Sequence, residues 1–306
     1  MKRTTYASFY ALFLVITLAC ELSANAQSFN RKLLIIGVDG MSPAGLLNAR
    51  TPNMHRLMEE GMYTLHVRAV MPTSSSSNWA SMIMGAGPEQ HGITSNDWQP
   101  DKFDIPPTVQ GPGGIFPTLF SALRQQRPSA VIACFHDWDG FGRLLERNML
   151  DRLVDADGPE QAVDLAIAYF KEKKPDLTFI QLDHVDHAGH EKGHGSPEYH
   201  AAVADADRLV GKLIDGLKAA DMLADTVVMV AADHGGVGTK HGGTTMAELE
   251  VPWIIRGPGI AAGPEIAGPV NIYDIAPTAA RILELKAHEA WIGRPIPLAR
   301  DAKIAR

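Results

Sequence analysis

The sequence predicts an α/β fold: a single domain with a largely parallel central sheet and helices on both faces. Three observations lead there. Apolar runs at Lys32–Val38, Leu177–Leu182 and 226–232 have strand length and no polar alternation, the pattern of strands covered on both faces. Amphipathic, helix-compatible stretches separate such runs along the whole chain, which is the signature of βαβ crossovers. Each of the three runs also stops at an acid or an acid–imidazole pair, at Asp39, Asp183 and Asp233-His234. These stops would lie at the carboxyl edge of the strands, where open α/β sheets bind ligands.

Bulk properties bound the function. The chain has 306 residues, 45% hydrophobic and 21% charged, enough apolar material for one large core. A net charge of −7 without a long basic run argues against nucleic-acid polymers as partners. Lys2 and Arg3, an apolar run over 9–19 and Ala24-Asn25-Ala26 have the layout of a secretory signal peptide. Residues 1–26 are therefore expected to be a cleaved signal and 27–306 an exported catalytic domain, periplasmic or secreted, without a stable transmembrane anchor. The alternative, a lipoprotein anchored at Cys20 of Leu18-Ala19-Cys20, has Thr17 where an aliphatic residue is preferred. Cys134 is the other cysteine, so the domain is expected to have no internal disulfide, and Cys134 to be a buried small hydrophobe.

In chain order, the first strand ends at Asp39-Gly40. Thr51-Pro52 opens a helix to Glu60, stopped by Gly61, and 62–70 is a second strand. The hydroxyl run Thr73-Ser74-Ser75-Ser76-Ser77 precedes a helix over 78–84. It could supply caps or, at a helix N-terminus that favours anions, a serine nucleophile. The Pro-rich stretch 97–114 is too long for a simple connection and is expected to be a flap near the substrate. A helix over 116–127 and a strand over 130–135 follow, the strand running into His136-Asp137. Pro159–Lys173 is a helix, and Leu177–Leu182 a strand that runs into Asp183-His184-Val185-Asp186-His187-Ala188-Gly189-His190. Residues 196–220 form a long helix with its apolar stripe at Ala202, Ala206, Leu209, Leu213 and Leu217. Strands over 226–232 and 252–256 and a helix over 273–285 complete the chain.

Carboxylates and imidazoles from three strand ends, without thiolates, suit zinc, manganese or iron. Within these segments Asp183/His187 and Asp186/His190 share one spacing, and Ser74, Ser75 and Ser76 compete for the nucleophile's place. The residues Asp39, Pro72-Thr73-Ser74-Ser75-Ser76-Ser77-Asn78, His91-Gly92-Ile93-Thr94-Ser95-Asn96, Asp186-His187-Ala188-Gly189-His190, Asp233-His234-Gly235 and His241-Gly242 occur in that order. This series resembles the alkaline phosphatase superfamily, in its type I phosphodiesterase/nucleotide pyrophosphatase branch.

The resemblance implies an alkaline phosphatase-like fold and two divalent metal ions, Zn2+ in that family. Asp186, His190 and His241 would hold one ion, and Asp39, Asp233, His234 and Ser75 the other. Ions about 4 Å apart clamp the attacking and leaving oxygens of an in-line displacement. The reaction would pass through a phosphoseryl intermediate on Ser75. Asn96 and the backbone N–H after Ser75 would donate to the phosphoryl oxygens, and the partner would be a small-molecule phosphoester. His184, His187 and His194 are read as structural or solvated, with support of a metal ligand or contact with substrate as the alternatives. His91 is expected to be a turn residue, His200 a surface residue, Trp79 core, and Trp98 a possible base-stacking surface.

Only six residues separate His234 from His241, where longer relatives carry an insertion that shapes the substrate pocket, so nucleotide specificity is left open. No Cys/Ser-x-Pro-x-Arg motif is present, which argues against formylglycine sulfatase chemistry. The alternatives are a phosphomonoesterase, phosphonate or sulfate-ester hydrolase with the same site, or a non-catalytic phosphoryl-binding envelope protein. Oligomeric state is open.

Overall fold

The computed structural model describes residues 31–298 except 264. The expected signal peptide and Cys20 lie outside the described residues. The eight-stranded sheet has the order β4-β3-β5-β1-β6-β7-β2-β8. Its strands are β1 Lys32–Val38, β2 Met62–Arg68, β3 Ile132–His136, β4 Arg152–Asp155, β5 Leu177–Leu182, β6 Thr226–Ala231, β7 Glu250–Arg256 and β8 Val270–Asn271. Only β7 runs against its neighbours, β6 and β2; every other pairing is parallel.

The three apolar runs that predicted the fold are adjacent. β1 lies between β5 and β6, in register Val38 opposite Leu182 and Gly37 opposite Ala231. Every residue of β5 and β6 is buried, as is β1 after Lys32. Continuous apolarity is what a strand needs when helices cover both faces. One layer is organised by the long helix Pro197–Ala219, against which Pro159–Lys173, His184–Lys192, Pro52–Glu60 and Pro43–Asn48 pack. In the other, Ser75–Met84, Leu119–Gln126 and Ile275–Ile282 pack on one another.

The helix ends follow their local chemistry. Ser196 and Thr118 cap their helices through side-chain oxygens, each satisfying an N–H that the first turn leaves open. Pro stands in the first turn of Pro52–Glu60, Pro159–Lys173 and Pro197–Ala219, where its missing N–H costs nothing.

The structure adds elements to the sequence reading. β4 has the sequence Arg-Leu-Val-Asp and sits at the sheet edge, so it shows no apolar run. β8 is two residues long, and the helices Pro43–Asn48, Pro88–His91 and Asp139–Gly142 are too short to show a period. The helix expected over 78–84 begins at Ser75, so the hydroxyl run is its first turn rather than a lead-in. The acid–imidazole segment after β5 is the helix His184–Lys192. Cys134 is a free thiol buried in β3, and burial raises its pKa well above the usual thiol value. Among the described residues, no helix is long and apolar enough to cross a membrane.

Candidate metal and phosphoryl site

Because β5, β1 and β6 are parallel neighbours, the segments leaving their carboxyl ends meet. Asp39 leaves β1 and is fully buried. Its Oδ2 accepts from Trp79 Nε1 at 2.9 Å and from Gln181 Nε2 at 3.1 Å. These bonds turn Oδ1, which has no hydrogen-bond donor, toward His234 Nε2 at 3.3 Å. Asp233, at the end of β6, accepts the Gly40 N–H on Oδ1 at 3.1 Å. Its Oδ2 has no hydrogen-bond partner and lies 3.2 Å from the same His234 Nε2. Gly40 has φ +67, and a Cβ there would strike Asp186, so the turn between the two acids needs glycine.

His234 donates from Nδ1 to the Gly235 carbonyl at 2.9 Å, which directs Nε2 into the cluster. Ser75 Oγ is 3.1 Å from that nitrogen. The other two candidate serines point elsewhere or act through the backbone: Ser74 Oγ bonds Ser77 Oγ at 2.8 Å, and the Ser76 N–H donates to Asn96 Oδ1 at 2.8 Å.

The second cluster lies alongside. In the helix His184–Lys192, Asp186 and His190 share a face through their i, i+4 spacing, with His190 Nε2 3.1 Å from Asp186 Oδ2. His241 Nε2 lies 3.6 Å from the same oxygen and 3.1 Å from His190 Nε2. The Nδ1 atoms donate to backbone carbonyls, that of His190 to Thr239 and that of His241 to Thr73. The rings of His234 and His241 stack at 3.7 Å between centroids, so the two clusters are contiguous.

Among the described residues, two sets of ligand atoms are close enough to hold a cation: Asp186, His190 and His241; and Asp39, Asp186 and His234. Asp186 belongs to both, which the sequence reading, with Asp186 on one ion only, did not anticipate. The donor chemistry fits divalent cations. Asp39 and Asp233 each present a buried carboxylate oxygen without a hydrogen-bond donor to His234, whose other ring nitrogen is already used, and Asp186 turns Oδ2 to His190 and His241, whose Nδ1 atoms are likewise engaged.

Packed this closely, the acids and imidazoles shift one another's titration. Burial alone would lower the His234 pKa, but Asp233, Asp39 and Asp186 raise it to about 10. The hydrogen bond that His190 donates to Asp186 holds His190 up to about 9, while burial and the nearby His234 lower His241. Burial would raise Asp186, yet His190, His234 and His241 bring it down to about 2. Burial and the neighbouring Asp39 raise Asp233 well above the usual carboxylate range.

Several supports were not singled out from sequence. Asn78 fastens the turn ahead of Ser75: its Oδ1 accepts the Val70 N–H at 2.7 Å, and its Nδ2 donates to the Pro72 and Ser74 carbonyls. Thr73 ties that turn to the His241 loop, donating from Oγ1 to the Gly243 carbonyl and accepting the Gly242 N–H. Arg143 donates to the Asn96 carbonyl at 3.1 Å. Asn78 and Thr73 stand in the quoted motif, so the signal was present without a role; Gln181 and Arg143 carried none.

Other expectations are adjusted. The N–H after Ser75, expected to face a phosphoryl group, donates instead to Asn96 Oδ1. Trp79 is core, as expected, and Trp98 is buried too, so neither presents a stacking face. His91 is buried on Ser81 Oγ, and burial lowers its pKa to about 3. His136 is buried beside Asp155 and Phe141, outside both clusters. His187 is exposed beside Glu191, and His184 lies against Asp205. His200 is half-buried at a groove with Ser42 and Asn48 rather than fully on the surface. The stretch 97–111 is a loop whose Thr108 N–H is bonded to the Gln90 carbonyl.

Known proteins resemble this chain in sequence and in fold. An uncharacterized pyrophosphatase/phosphodiesterase of Schizosaccharomyces pombe is 26% identical over 235 residues, covering 68% of this chain and 45% of its own length. Human ectonucleotide pyrophosphatase/phosphodiesterase family member 5 is 24% identical over 233 residues, covering 73% and 48%. A venom phosphodiesterase of Macrovipera lebetinus is 26% identical over 236 residues, covering 71% and 27%. The chain thus spans a quarter to a half of the length of these relatives. The structure of murine ectonucleotide pyrophosphatase/phosphodiesterase 5 in complex with AMP superimposes with a TM-score of 0.70 at 18% identity, covering 84% of this chain and 96% of that one. A 2-O GAG sulfatase superimposes at 0.71 and 16% identity, covering 87% and 73%; at such identities the likeness is one of fold. Residues 33–255 match the family described as type I phosphodiesterase / nucleotide pyrophosphatase, and the chain belongs to that family.

Proposed function

We propose that the protein is an exported, two-cation hydrolase of small phosphodiesters, with Ser75 as nucleophile. The observation that carries this reading is the convergence of Asp39 Oδ1, Asp233 Oδ2 and Ser75 Oγ on His234 Nε2 within 3.3 Å, beside the facing pair His190 and His241. When bound, two divalent ions, Zn2+ in this reading, supply positive charge that favours the serine alkoxide and offsets charge on the departing oxygen. Asp39, Asp233 and His234 hold the ion beside Ser75. Asp186, His190 and His241 hold the other.

Ser75 Oγ gives up its proton to water and attacks phosphorus, the ester oxygen departs and takes a proton from water, and the phosphoryl group stays on Ser75 until a second water displaces it, returning the proton to Oγ. Ser75 is the first residue of its helix, so the positive helix end faces the incoming anion. Asn96 Nδ2 donates to a non-bridging oxygen. Export is supported by the signal-like N-terminus and by relatives named for venom and for ectoenzymes.

The test is hydrolysis of an aryl phosphodiester by the mature protein before and after chelation, with zinc and manganese added back. Loss on chelation and recovery with metal are expected; undiminished turnover of the stripped protein would refute the reading. Arg143 beside Asn96 favours a second reading, a phosphate or sulfate monoesterase. A kcat/KM panel of aryl mono- and diesters decides between them: monoester preference that falls in Arg143→Ala would carry the second reading. Metal binding without turnover of any ester would instead indicate a non-catalytic phosphoryl-binding protein.

A further inference from the structure

His194 lies just beyond the helix His184–Lys192 and is assigned above to neither cation. Its side chain is 3% exposed, yet neither ring nitrogen has a hydrogen-bond partner. Orphaned buried polar atoms are costly and call for an explanation. The niche around the ring is built for it: a Cβ at Gly189 or at Gly236 would collide with the imidazole. The Tyr199 ring packs at 5.2 Å, and the His194 N–H donates to the Gly238 carbonyl at 2.7 Å. The ring is thus wedged between the helix bearing Asp186 and His190 and the loop leading to His241.

From there His194 Nε2 faces Asp186 Oδ1 at 3.6 Å, and that oxygen is itself buried without a donor. Asp186 Oδ2 is turned to His190 and His241. Since Asp186 also stands within reach of the cluster of Asp39 and His234, the occupancy of Oδ1 decides whether the carboxylate serves one cation or bridges two.

We propose that His194 is a positioning residue that makes Asp186 a ligand of one cation. The neutral imidazole carries its proton on Nε2 and donates it to Asp186 Oδ1, so that Oδ2 alone ligates beside His190 and His241. A shift of roughly 0.7 Å brings the present spacing to ordinary hydrogen-bond length. Donors to the free oxygen of a ligating carboxylate fix its orientation and typically change metal affinity 10–100-fold when removed. The inference rests on the two-cation reading.

The experiment strips the mature protein with chelator and titrates it with zinc, following stoichiometry and the affinity of each ion, with the melting temperature of the metal-free protein as a separate control. His194→Gln keeps a donor where Nε2 stands; His194→Phe fills the niche without one. The expected result is a 10–100-fold loss for one ion in His194→Phe, the other ion held as in the parent, and recovery in His194→Gln. Parent-like binding of both ions by His194→Phe overturns the proposal, as does equal weakening of both, the outcome if Asp186 bridges. A merely structural role would lower metal-free melting in both variants without separating the ions. If His194→Phe does not fold, His194→Ala with free imidazole takes its place: rescue of the weakened ion supports the proposal, and no rescue overturns it. Failure of the parent protein to bind zinc at all would sink the two-cation reading itself, a result distinct from either.

Discussion

His190 and His241 face each other through their Nε2 atoms at 3.1 Å, and the other nitrogen of each is fixed by a backbone carbonyl. In the metal-free protein this spacing holds because His190 is protonated, held up to about 9, while His241 is neutral. A cation must displace that proton and the one on His234, held at about 10. Zinc binding near pH 7 is therefore expected to release protons and to weaken as pH falls. Calorimetry in buffers of different ionisation enthalpy measures the number. In His241→Ala one ion should be lost and the other retained; equal loss of both would contradict the division of ligands.

Ser75 should be irreplaceable and its neighbours not. With Oγ at 3.1 Å from His234 Nε2, Ser75→Ala is expected to lower kcat by 10³-fold or more, on the order found when a nucleophile is removed elsewhere. Ser74→Ala loses only its bond to Ser77 and should stay within roughly tenfold of the parent. Steady-state kinetics on an aryl diester, with trapping of phosphoserine at low pH, distinguishes the three serines.

Trp79 links core to site. It is wholly buried and donates to Asp39 Oδ2, and its ring occupies the space where a side chain at residue 37 would stand. Trp79→Phe removes volume and a donor to a buried carboxylate, and should cost about 2–4 kcal/mol of stability. Denaturant unfolding of the metal-free protein reads the loss; a change under 1 kcal/mol would mean that the site tolerates it.

Asp137, outside the proposed ligand set, adds a pH dependence to the stability of the metal-free protein. Burial, more than the nearby Asp39, raises its pKa from 3.8 to about 7, while the Asp183 N–H it accepts at 2.7 Å opposes the shift. Between those values the native state holds a proton that the unfolded chain has lost, so this group's stabilisation falls as pH rises through that window. Asp137→Asn keeps the acceptor and removes the titration. It should match the parent near pH 4 and exceed it by about 1–2 kcal/mol above pH 7, allowing for the screening of a partly exposed group. Melting curves across pH 4–8 test the sign.

The parts of the fold legible in the sequence were those whose physics is local. β1, β5 and β6 are apolar throughout because helices cover both faces, and the acids that end them stand at one edge because the strands are parallel neighbours. The helix Pro159–Lys173 keeps its expected bounds, with Pro in its first turn, and the structure closes it on a left-handed Lys174. Edge strand β4 was not legible, because a strand with solvent on one side and a partner on the other needs no apolar run. Within the site, spacing brought Asp186 and His190 together, but the place of Asp186 between two clusters depends on the approach of β1 and β6. Gln181 looked like one polar residue in a strand; its task of turning Asp39 exists only where β5 lies against β1.

The two clusters also differ in their access to solvent. His234 and Asp233 are shut away completely, whereas 46% of the His190 side chain is open. A cation among Asp39, Asp233 and His234 would be screened by buried side chains and exchange slowly, while one at His190 would stand closer to water. The protein should therefore keep a memory of the metal present when it folded at the inner position and equilibrate with its surroundings at the outer one. Under chelator the two ions should leave in separate kinetic phases, the slow one tracking unfolding.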